Sequence, residues 1–109
     1  MIQESVRIFV VDDFIAEERR KYLIVIIYDI SDNKRRTAFA KYLKGFGVRV
    51  QKSAFECILP NAKYEKLIRG IPYLIEKEDL IRVYKLSSNA DIRVWGSVDL
   101  VEEEEVIII

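Results

Sequence analysis

Tyr22–Ile30 reads YLIVIIYDI, and the fold turns on how that run is covered. Its β-branched and aromatic residues favour an extended chain, in which successive side chains point to opposite faces. Tyr22, Ile24, Ile26, Tyr28 and Ile30 then share one face, and Leu23, Val25, Ile27 and Asp29 share the other. Both faces are apolar, the pattern of a central strand covered on both sides. Asp29 is the exception, a carboxylate at the end of an apolar face.

Outward from this strand, Asp32 is suited to cap a helix that runs to Lys44. Ala38, Phe39, Tyr42, Leu43 and Phe46 form its apolar side, and Gly45 or Gly47 stops it. Val48–Leu59, VRVQKSAFECIL, is strand-like, with a break at Lys52-Ser53 that reads as a tight hairpin or a bulge. A second helix follows Pro60-Asn61, with Tyr64, Leu67, Ile68, Ile71, Leu74 and Ile75 at helical spacing. Gly70 and Pro72 fall inside that pattern and predict a kink or an early end. Asp79–Leu86, DLIRVYKL, is a further strand.

The order βαββαβ predicts an α+β, ferredoxin-like sheet with both helices on one face. Two helices leave the second face of the central strand bare. A second copy of the chain, sheet against sheet in a two-fold homodimer, is the expected cover. The terminal VIII is predicted to form an additional C-terminal strand, paired within its own subunit or along the edge of its partner's sheet.

The chain has 109 residues, half of them hydrophobic, which is enough for one domain with a single core. Histidine is absent, and with it Ser-His-Asp and Cys-His catalysis and His-ligated zinc. Any catalysis must come from carboxylates, a hard metal ion, Tyr, Lys or Arg. The lone cysteine, Cys57, lies in an apolar run and reads as a small buried hydrophobe in a reducing compartment. No apolar run approaches the roughly 20 residues of a membrane span, and VRIFVV near the start runs into Asp12 and Asp13 instead of forming a secretory signal. A cytoplasmic protein without a membrane partner is expected.

A formal net charge of zero conceals a strong asymmetry. Asp32–Lys52 carries seven cations and one acid, whereas Asp99–Ile109 carries five acids and no cation. Lys34, Arg35 and Arg36 stand in the first turn of the predicted helix, where the dipole disfavours positive charge. Free amides, the dipole and two guanidinium groups together suit a phosphate. Asp29 reads either as a capping or ion-paired acid or as a ligand for magnesium, which takes one or two carboxylates plus water and phosphate. A two-fold axis beside Asp29 would supply the second carboxylate, and the metal a hydroxide nucleophile.

The combination YDI, Asp32, Arg35-Arg36, helix, glycine, RVQKSAFE and a later IRVY, spanning Tyr22–Leu86, resembles the CRISPR-associated Cas2 family. The resemblance implies the same fold and homodimer. It also implies a magnesium-dependent (Mg2+) endonuclease acting on single-stranded RNA or double-stranded DNA, at the centre of a spacer-integration complex with the Cas1 integrase. Carried over by position, the metal-binding and catalytic aspartate is Asp29. The implied nucleic-acid-binding residues are Tyr28, Arg35, Arg36, Arg49 and Phe55. Residues 22–109 form the implied domain. Residues 1–21 precede the usual start and receive no role, and Pro72 departs from the usual second helix.

Three other readings stand beside this one. KGFGVRV, Lys44–Val50, resembles the opening of an RNA-recognition-motif signature, but no aromatic follows Gly47 and the segment comes after the first helix. The dimer can also be a non-catalytic scaffold that holds nucleic acid for Cas1. A toxin-like ribonuclease of the virulence-associated D type shares the fold.

Overall fold

Strand β1, Lys21–Asp29, occupies the middle of a four-stranded sheet in the order β2-β3-β1-β4. The computed structural model describes residues 20–87 and 89–96. After β1 come α1 (Asn33–Lys44), β2 (Val48–Gln51), β3 (Ala54–Pro60), α2 (Asn61–Gly70) and β4 (Leu80–Leu86). Every neighbouring pair is antiparallel, so each helix carries the chain across one intervening strand. This is the ferredoxin-like arrangement. The expected C-terminal strand at residues 106–109, and residues 1–19, lie outside the described residues.

The alternation in β1 decides which face the helices take. Ile24, Ile26 and Tyr28 are buried, with Phe55, Cys57 and Leu59 beside them on β3 and Phe39, Leu43 and Leu67 above them from the helices. Burial pushes the Cys57 thiol pKa up to about 11, which makes it a packed hydrophobe and a poor nucleophile. Leu23, Val25, Ile27 and Asp29 point away from the helices, and their cross-strand partners include Ile58, Tyr84, Leu86 and Leu80. Ile58 is 67% exposed and Leu80 52%, so among the described residues a largely apolar sheet face, interrupted by Glu56 and Arg82, stands open.

Helix α1 starts as its sequence predicts, with Asp32 Oδ2 accepting from the Arg35 amide at 2.8 Å. It ends at Gly45, whose amide donates to the Tyr42 carbonyl. The buried stripe is rotated from the predicted one: Ala40 is buried and Ala38 is exposed. The stripe is centred on Phe39 and Leu43, and Ala40 lies on the side of that line facing the sheet.

Gly47 then brings the chain against β3. A methyl group there would sit 2.2 Å from the Glu56 carbonyl oxygen and 2.6 Å from Cys57 Sγ, so only glycine allows the approach.

The Lys52-Ser53 break is both of its predicted alternatives, a tight turn joining β2 to β3 and a register shift between Arg49 and Gln51. The second helix ends early: α2 stops at Gly70, and Pro72 falls in a 3-10 turn, Ile71–Tyr73. Gly70 also admits Tyr42, whose hydroxyl donates to the Leu67 carbonyl at 3.1 Å and ties α1 to α2.

Candidate functional site

The last residues of β1, the flank of α1 and the β2–β3 hairpin enclose a cleft of about 850 Å³. Among the described residues its charged lining is Asp29, Arg36, Lys41, Lys44, Arg49 and Lys52, five cations around one acid. The cations come from three separate elements. Thr37, Lys41 and Lys44 recur at helical spacing on one side of α1, Arg49 rises from β2, and Lys52 stands in the turn. Such a concave, cation-lined space attracts anions.

Tyr28, Asp29, Arg36 and Arg49 thus line one cleft. Asp29 is exposed at the rim, where β1 leaves the sheet. Tyr28 belongs to the core, with its ring edge-on to Phe39 at 5.0 Å, and its hydroxyl is buried without a hydrogen-bond partner among the described residues. Arg49 lies over the Phe55 ring, 5.5 Å from its centroid. Phe55 is fully buried, so its part is to support Arg49 and not to stack a base.

Arg35 and Arg36 are placed otherwise than free phosphate ligands. Arg35 grips Asp79 through Nε at 2.7 Å and Nη2 at 3.0 Å and reaches Glu78 at 3.3 Å, on the far side of α1 from the cleft. Asp79 raises the Arg35 pKa above its ordinary value. Arg36 donates to the Ile30 carbonyl at 2.9 Å, to the Ser31 carbonyl and to Asn33 Oδ1, fastening the β1–α1 turn.

Sequence reasoning placed Lys41, Lys44 and Lys52 in the basic segment without assigning them to the site, although the helical spacing of Thr37, Lys41 and Lys44 was a usable signal. Asp79 carried no local signal, because its partner is 44 residues away.

Among the described residues, no group of three or more His, Cys, Asp or Glu side chains is gathered to hold a metal. Asp29 contributes one carboxylate to the cleft. No described helix is long and apolar enough to cross a membrane.

The fold is thus a ferredoxin-like α+β sheet with an acid at a strand end and a cation-lined cleft beside it. The chain matches the family described as CRISPR associated protein Cas2 over residues 22–94, and it belongs to that family. It is 44% identical over 87 residues to the "CRISPR-associated endoribonuclease Cas2" of Mycobacterium tuberculosis, a match covering 80% of this chain and 77% of that one. The structure resembles Streptococcus pyogenes Cas2 with a TM-score of 0.60 and 28% identity, covering 68% of this chain and 99% of the other. A chain in a "Partial Cas6-RT-Cas1--Cas2 complex" matches with a TM-score of 0.53 and 27% identity, over 62% of this chain and 81% of that chain.

Proposed function

We propose that the chain is a divalent-metal-dependent endonuclease of CRISPR adaptation, active as a homodimer on RNA or DNA, with Cas1 as its partner. The observation that carries this reading is the position of Asp29. It is exposed at the end of an apolar, uncovered strand face and borders a cleft with five cations. Covering that face with a second copy would remove Ile58, Leu80 and Tyr84 from water, at roughly 25 cal/mol per Å² of apolar area. The same contact would bring two Asp29 carboxylates towards one axis. Magnesium accepts one or two carboxylates with water and phosphate completing its shell, so the donor set suits it. When bound, such an ion polarises a phosphodiester and lowers the pKa of its water.

The chain's own residues have distinct tasks in this reaction. Asp29 supplies the anionic ligand, the cleft cations hold the phosphate backbone, and Arg36 keeps the β1–α1 turn closed behind Asp29. The name endoribonuclease, borne by the mycobacterial relative, supports RNA as a substrate. The likeness to a chain from a complex that contains both Cas1 and Cas2 supports Cas1 as the partner.

Replacing Asp29 by Asn tests this. Magnesium-dependent cleavage should fall by at least about 100-fold, since the metal's protein ligand is gone, while nucleic-acid affinity measured in EDTA is retained. Undiminished cleavage by Asp29→Asn would defeat the nuclease assignment.

The scaffold reading draws on a specific observation too. Among the described residues, one chain offers a single carboxylate but five cations at the cleft. Its signature is binding and Cas1-dependent integration that survive Asp29→Asn, with no metal-dependent cleavage by the wild type.

A further inference from the structure

The two arginines at the start of α1 are engaged within the chain. For Arg35 to reach a phosphate, it would have to leave Asp79, a carboxylate whose side chain is 1% exposed. Leaving it would break two charge-assisted hydrogen bonds at once. Arg36 would have to release the carbonyls of Ile30 and Ser31, which close the turn behind Asp29.

The cleft wall offers other donors. Lys41 projects from α1 and Lys52 from the β2–β3 turn, both exposed, and neither has an ion pair among the described residues. Between them the wall includes Tyr28, 3% exposed, whose hydroxyl lacks a partner among the described residues. That hydroxyl has no surface a ligand can reach, so the contacts to a strand fall to the two lysines.

We infer that Lys41 and Lys52 hold backbone phosphates of a nucleic-acid strand in this cleft. Arg35 and Arg36 are positioning residues that hold α1 and the turn carrying Asp29. The inference rests on the nucleic-acid-binding reading above and adds which side chains make the contacts.

The test is fluorescence anisotropy with a labelled single-stranded RNA of mixed sequence in EDTA, so that no cleavage intervenes, across a range of salt. The full chain is compared with Lys41→Gln, Lys52→Gln and Arg35→Gln, and Tm is measured for each. Each lysine variant should reduce the slope of log affinity against log salt by about 0.7, the value for one phosphate contact to a single strand, with Tm unchanged. Arg35→Gln should lower Tm and leave the salt slope intact. Wild-type binding whose slope survives both lysine substitutions overturns this inference alone, as does a folded Arg35→Gln protein that loses the slope. A wild type that binds no RNA overturns the parent reading together with it.

Discussion

Asp79 accepts two hydrogen bonds from Arg35 and a third from the Glu76 amide, and so joins the start of α1 to the turn that leads into β4. The hydrogen bond from Arg35 is the largest influence holding its carboxyl below the usual range; burial opposes this and the Glu76 amide assists. The native state therefore binds fewer protons at this site than the unfolded chain between the lowered native value and the unfolded one, about 3.9. The contribution to stability is complete above that unfolded value and disappears as pH falls through the native value. Arg35 stays charged throughout, so the carboxylate alone sets the window. Asp79→Asn should accordingly lower Tm at neutral pH, and the gap from wild type should close once the pH is well below about 3.9. Calorimetry across that range checks it. A gap that ignores pH would assign the effect to packing.

At the scale of elements, the short connection from α1 to β2 brings the chain hard against β3. Gly47 has no room for a Cβ against the Glu56 carbonyl and Cys57 Sγ. Gly47→Ala should destabilise the fold by about 1–3 kcal/mol, the usual range for overpacking against atoms that cannot withdraw. Urea unfolding reads this directly, as a lower midpoint with an unchanged m-value. The elements themselves were largely legible in the sequence, because alternation, Asp32 and Pro72 are local signals and each acted where it stands. The rotation of α1 that buries Ala40 in place of Ala38 was not, since it depends on how Phe39 and Leu43 settle onto Tyr28 and the sheet. The same holds for the site. The sequence pointed to Asp29 and a basic segment, but only folding separates Arg35, turned to Asp79, from Lys41 and Lys52, which line the cleft from different elements.

At the scale of the whole molecule, the open sheet face and the single carboxylate pose one question: whether the catalytic unit is one chain or two. Ile58 lies on that face opposite Leu23 and is exposed, and Ile58→Glu places a charge where a second copy would have to desolvate it. Sedimentation should then shift towards the monomer, and metal-dependent cleavage should fall in parallel if the site is shared. Mixing subunits separates sharing from mere association. When wild type and Asp29→Asn are exchanged at equal amounts, random pairing leaves about one quarter of the dimers fully wild type. A site needing both carboxylates retains about one quarter of the original activity, whereas two independent sites retain about one half. The lower value supports a metal held between two Asp29 residues. The higher value would make each chain complete in itself and leave the apolar face as an assembly surface without a part in the chemistry.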